Sequence, residues 1–132
     1  MRLFLLVLCL LAATSCSKKS PVGPTVSRAE RFTLSPGQAA AVRGTDLRIE
    51  FAGVSGDSRC PADVVCIQAG EAIVQLRAHD NRTSTSYELR TAPQRTTVTH
   101  GSLSIELLEL QPYPFSTRQI RQSDYKATLT TR

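Results

Sequence analysis

The stretch Ala72-Ile73-Val74-Gln75-Leu76-Arg77-Ala78 places Ala72, Val74, Leu76 and Ala78 at every second position. Side chains of a strand point alternately to its two faces, so this set lies on one side of an extended chain but scatters around a helix. The same period of two spreads outward in both directions. Before it, Phe32 and Leu34 alternate ahead of Pro36-Gly37, and Leu47, Ile49 and Phe51 alternate with Arg48 and Glu50. After it, Thr83, Thr85, Tyr87, Leu89 and Thr91 make a Thr-rich strand, entered through Asp80-Asn81 and closed by Pro93. Leu103, Ile105 and Leu107 alternate, and then Leu108 and Leu110 continue on the opposite parity. One extra residue at Leu107-Leu108 produces that switch, which predicts a β-bulge there or a strand buried on both faces. Tyr125, Ala127 and Leu129 form the last strand, and 38–43 and 96–100 are shorter candidates. Seven to eight short strands with Gly and Pro punctuation and almost no helix predict a small all-β single domain. It is either an immunoglobulin-like β-sandwich or a barrel.

Composition narrows the function classes. The 132 residues suffice for one modest domain, and no run of eighteen apolar residues is present to span a bilayer. Sixteen Lys and Arg stand against eleven Asp and Glu, a net charge of +5. The arginines, however, are scattered evenly among the acids from Arg31 to Arg132, with no basic stripe and no interleaved aromatics, which argues against nucleic acid as a partner.

The N-terminus carries an address. Met1-Arg2 is followed by an apolar run from Leu3 to Ala13, the length of a secretory leader core, and Ala13-Thr14-Ser15 supplies small residues before Cys16. This segment resembles the lipobox of bacterial lipoproteins, with Ala13 where a leucine is usual. The resemblance implies cleavage before Cys16 and acylation of its thiol. Ser17 is not the aspartate that in Gram-negative lipoproteins looks like an inner-membrane retention signal. Residues 17–27, rich in Ser, Pro and Gly, read as a linker, with Lys18 and Lys19 placed to meet anionic headgroups or simply water. The predicted organisation is a signal peptide at 1–15, a lipidated cysteine and flexible tether at 16–29, and a β domain at 30–132. The corresponding location is the periplasmic face of an outer membrane in a Gram-negative cell, or the secreted space if Cys16 carries no lipid.

Cys60 and Cys66 then remain as a pair within Asp57-Ser58-Arg59-Cys60-Pro61-Ala62-Asp63-Val64-Val65-Cys66-Ile67-Gln68-Ala69-Gly70. Outside the cytoplasm a disulfide is the simplest reading. Free thiols are the alternative, and a zinc site would need two further ligands that His79 and His100 are not spaced to supply. The Asp-Ser-Arg-Cys-Pro start, second cysteine and Ala-Gly step resemble a group of small uncharacterised bacterial lipoproteins, as do Pro112-Tyr113-Pro114 and Tyr125-Lys126-Ala127. This chain has Ile67-Gln68 where that group carries an aromatic. The resemblance implies an envelope address and a β fold and leaves the function open.

The loop is longer than a hairpin needs, and long ordered loops carry binding functions. Asp57 and Arg59 are spaced to pair, and Asp63 is placed to accept backbone N–H groups and fix the ring. Tyr113 and Phe115, stiffened by two prolines, can offer a flat contact patch. These five residues are the candidate binding set. A plainer reading makes the loop a cap whose Val64, Val65 and Ile67 plug the core, with the two aromatics folded back. Tyr125 is a candidate corner tyrosine bonding a loop backbone.

Catalytic signatures are missing from the sequence. His79 and His100 fall at strand ends in what read as exposed loops, Glu106 and Glu109 read as a solvated strand face, and no nucleophile elbow or metalloprotease motif occurs. Asp46, Glu50, Asp57 and Asp63 lack the calcium-loop pattern. The sequence therefore predicts a membrane-anchored, non-catalytic binding or structural module without cofactor or metal, whose partner is an envelope protein or small ligand. The alternative is a small periplasmic enzyme or inhibitor working through the loop from Asp57 to Cys66.

Overall fold

The structure, a computed structural model, describes residues 22–132. The predicted leader, Cys16 and the tether as far as residue 21 lie outside the described residues. Strands β1 (Val22–Val26), β3 (Ala39–Val42), β4 (Arg48–Asp57), β5 (Ala72–His79) and β6 (Ser84–Arg90) form one sheet in the order β1-β3-β4-β5-β6. Strands β2 (Arg31–Leu34), β9 (Lys126–Thr131), β8 (Leu103–Gln111) and β7 (Thr97–His100) form the other, in the order β2-β9-β8-β7. The sheets do not close into a barrel, so the chain is a β-sandwich. Every pairing is antiparallel except that of β1 with β3.

Alternation along the sequence becomes layering in space. Ala72, Val74, Leu76 and Ala78 are completely buried, and they meet Ile49, Phe51, Leu89, Ile105 and Leu129 in one core between the sheets. The parity switch in β8 is a bulge: Leu107 pairs with Leu129 and Glu109 with Thr128, leaving Leu108 as the extra residue. Leu107 and Leu110 are both buried, while Leu108 is half-buried and Glu109 exposed, so the bulge returns the strand to the core on its other parity.

One segment departs from the predicted boundaries. Residues 22–26, expected in the tether, form β1 and bring the strand count among the described residues to nine. Pro24 and Gly23 made this stretch read as linker. Pro is nevertheless tolerated on an edge strand, and a Cβ on Gly23 would come within 2.4 Å of the Ala39 carbonyl oxygen. The glycine lets β1 lie against β3, and Val26 at its end is buried.

β4 carries two irregularities against β5, after Phe51 and after Val54. At the first, Gly53 adopts φ +144°, and the Gln122 side chain inserts beside it. The Val54 N–H donates to Gln122 Oε1 at 3.1 Å, and the Gln122 amide donates back to the Val54 carbonyl. A side-chain amide thus stands in for the strand neighbour that the bulge removes.

Strand directions define two ends. β4, β6 and β8 all finish, and β5 begins, at the end holding the cysteine loop; the β5–β6 and β7–β8 turns lie at the other. Replacing Gln122 with Ala leaves both Val54 backbone groups without their partner. A loss of about 1–3 kcal/mol is expected, read as a lower denaturant midpoint with an unchanged slope.

Candidate functional site

The cysteine loop stands on a zipped stem. Ser58 N–H donates to the Glu71 carbonyl at 2.9 Å, Glu71 N–H donates to Ser58 Oγ at 3.1 Å, and Cys60 N–H donates to the Ala69 carbonyl at 2.8 Å. Gly70 closes the stem at φ +65°, where a Cβ would fall 1.7 Å from the Ser58 carbonyl oxygen, so only glycine fits. Above it Cys60 and Cys66 form a disulfide, with Cα atoms 5.9 Å apart.

Arg59 is the root of the loop. Its Nε donates to Asp57 Oδ1 at 2.9 Å and Nη2 to Asp57 Oδ2 at 2.6 Å, a bidentate ion pair with both side chains almost fully buried. The same guanidinium donates to the carbonyls of Leu110 at 2.8 Å and Pro112 at 2.9 Å, and lies 5.2 Å from the centre of the Tyr113 ring. Tyr125 Oη donates to Asp57 Oδ2 at 3.0 Å. The predicted pairing is therefore present, but its guanidinium faces inward. Tyr125 bonds a loop carboxylate where a backbone group was expected.

Burial pushes the Asp57 carboxyl up, yet the hydrogen bonds and charge of Arg59, aided by Tyr125, outweigh it and hold the carboxyl below its ordinary value. Burial and the adjacent Asp57 charge push the Tyr125 phenol up to about 12.

A second set of bonds lashes the ring to the 112–116 loop. The Ala62 N–H donates to the Pro114 carbonyl at 2.9 Å, and Asp63 accepts from the Ser116 N–H at 2.8 Å and from its hydroxyl. These hydrogen bonds hold the Asp63 carboxyl below its ordinary value. Asp63 thus fixes the ring to its neighbour, whereas the sequence suggested that it fixes the ring's own turn.

The plainer expectation that Val64, Val65 and Ile67 plug the core is overturned. Val65 and Ile67 are fully exposed, at 101% and 105%, and Val64 is 44% exposed. The sandwich fills its interior with strand residues, and a ring pinned by stem and crossbonds has no slack to fold inward. Tyr113 and Phe115 are likewise not folded away, at 46% and 50%. These are all five of the exposed large hydrophobic residues among those described, and they share one end. Beside the stem lies an open groove of about 540 Å³, lined by Arg59, Gly70, Pro93, Leu108, Leu110 and Tyr113.

At the opposite end, the histidines do sit at strand ends, but His100 is half-buried where an exposed loop was expected. Its Nδ1 is 3.0 Å from Tyr87 Oη and its Nε2 3.2 Å from Asp80. Backbone N–H groups of Arg82 and Thr83, with His100, hold the Asp80 carboxyl down at about 2. His79 pairs with Glu50 at 2.9 Å. Among the described residues no three His, Cys, Asp or Glu side chains gather as a metal-binding group. No family model, curated protein or solved structure matches the chain.

Sequence reasoning missed Gln122, whose only signal was a polar residue close before the last strand, and missed the Leu110 and Pro112 carbonyls, which no side-chain pattern marks. Two outcomes test the root. Removing one partner with Asp57→Ala or Arg59→Ala strands a buried charge, and a loss of about 3–5 kcal/mol is expected by chemical denaturation. The Tyr125 phenol binds its proton more tightly folded than unfolded, so its contribution is complete below pH 10 and is lost as pH rises through about 12. Melting temperatures of Tyr125→Phe should therefore fall less steeply over that window than those of the unaltered protein. Asp57 acts oppositely: its contribution is present above its unfolded pKa and is lost as pH falls through the lowered folded value.

Proposed function

We propose that the chain is a lipid-anchored protein of the bacterial cell envelope that binds a partner without catalysis, using the disulfide-stapled ring and the adjoining aromatic loop as its contact surface. The observation that carries this reading is the gathering of Val64, Val65, Ile67, Tyr113 and Phe115 on two cross-bonded loops at one end. Scattered apolar residues are ordinary on a surface, but a cluster held rigid by a disulfide and by bonds from Asp63 and Ala62 has the composition of a contact patch.

The state of Arg59 supports binding over chemistry. Four side-chain hydrogen bonds bind its guanidinium to Asp57, Leu110 and Pro112, so the loop's one arginine is occupied in positioning. Asp63 is similarly committed to Ser116, and the two histidines sit at the far end. The working surface is the exposed crown, with Tyr113 and Phe115 at its margin.

The lipid anchor rests on Cys16 in its lipobox-like setting, and outer-membrane placement on Ser17. Cells fed a clickable palmitate analogue should label the chain, and Cys16→Ser should abolish the label; an unlabelled native chain overturns the anchor. Alkylation without reduction should leave Cys60 and Cys66 unmodified by mass. Reducing that small ring should cost about 2 kcal/mol of stability on the chain-entropy view.

A further inference from the structure

We infer that the ring end of the sandwich contacts a phospholipid surface bearing anionic headgroups, inserting Val65 and Ile67 among the lipids, so that the domain is held against its membrane at two points. This rests on the lipid anchor proposed above for the position of that membrane.

The direction of β1 brings the two points together. β1 runs parallel to β3, with Val22 beside Ala39, and Ala39 in turn pairs with Glu50 of β4. β4 continues from Glu50 to Asp57 at the foot of the ring, so Val22, the first described residue, begins β1 on the side nearer the ring. The seven residue steps from Glu50 to Asp57 rise about 23 Å, and the six steps from Cys16 to Val22 reach at most about 20 Å. A lipid on Cys16 can therefore rise about as far as the foot of the ring, and this short reach keeps the bilayer at the level from which the crown projects.

Charge and side-chain chemistry fit that surface. In the loop after β8, Arg121 is paired with Asp124, while Arg118 is exposed and joined to Phe115 by a backbone bridge. Asp63, the one acid inside the ring, keeps its charge while it accepts from Ser116, so the attraction to anionic headgroups falls to Arg118 beside Phe115 and to the basic residues after Cys16. Lys18 and Lys19 follow Cys16 in the sequence. Tyr113 and Phe115 supply aromatic rings at the margin of the apolar tip, where an interface favours rings with one apolar side. Basic residues close to the surface add attraction that fades within a Debye length, so salt should weaken the contact. The other end of the sandwich, with the Asp80-Asn81-Arg82 turn, exposes no comparable apolar residue among those described.

The chain contains no tryptophan, which makes the test direct. Ile67→Trp places a single reporter on the ring, and Arg82→Trp places one on the opposite end. Each is made in the exported chain carrying Cys16→Ser and mixed with vesicles of phosphatidylcholine and phosphatidylglycerol. Emission from Trp at 67 should shift to the blue and be quenched by brominated acyl chains, while Trp at 82 stays water-like. Replacing Val65 and Ile67 together with Asp should lower vesicle partitioning by on the order of tenfold or more. A water-like reporter at 67, equal shifts at both ends, or unchanged partitioning of the double variant overturns the inference, and the ring then faces a protein. Acyl labelling of Cys16 separates the two claims. Labelled Cys16 with a water-like reporter at 67 overturns the ring contact alone, and unlabelled Cys16 with a blue-shifted reporter overturns the anchor alone.

Discussion

A bidentate ion pair between neighbours in sequence ordinarily matters little at a surface, where water and salt weaken it. Between Asp57 and Arg59 the same pair is buried, and its remaining hydrogen-bonding capacity is spent on distant chain: Tyr125 at the start of β9, and the carbonyls of Leu110 and Pro112 at the end of β8. Two charges withdrawn from water are tolerated only when such bonds complete them. The pair therefore ties the loop leaving one sheet to two strands of the other. The stem, ring and 112–116 loop all take their position from that junction.

The loop motif gains a division of labour from this geometry. Asp57 and Arg59 point inward, Ser58 points along the stem to Glu71, Cys60 begins the ring, and Gly70 gives the left-handed step that lets the stem close. Alternation along an extended chain separates these tasks, so adjacent residues serve opposite faces. Beyond Pro61, Ala62 and Asp63 still bind the 112–116 loop, and the side chains of Val64, Val65 and Ile67 are the ones left facing water.

The period of two made the sandwich and its core legible because each strand buries one face, and the bulge in β8 was readable as a break in that same rule. β1 was not, since Gly23 and Pro24 speak for a linker and only the pairing with β3 shows that the glycine serves close packing. In the loop, the disulfide and the Asp57–Arg59 pair followed from spacing and chemistry. Which way Arg59 faces depended on two backbone carbonyls more than fifty residues away, and the exposure of Val65 and Ile67 depended on a core already filled by the strands. Both are facts of tertiary packing that no local pattern encodes.

Leaving Val65 and Ile67 in water forgoes the burial that apolar side chains of this size normally gain, about 1.5–3 kcal/mol each. A floppy loop would recover part of that by collapsing onto the sandwich. This one is prevented from doing so by the disulfide, by the stem at Ser58 and Glu71, and by Asp63 on Ser116. The same bonds that stop collapse also lower the ordering cost when a surface meets the crown, since the backbone of the ring is already tied at both sides. Rigidity and exposure thus work together: an apolar tip held away from its own core is arranged to exchange water for an external apolar phase.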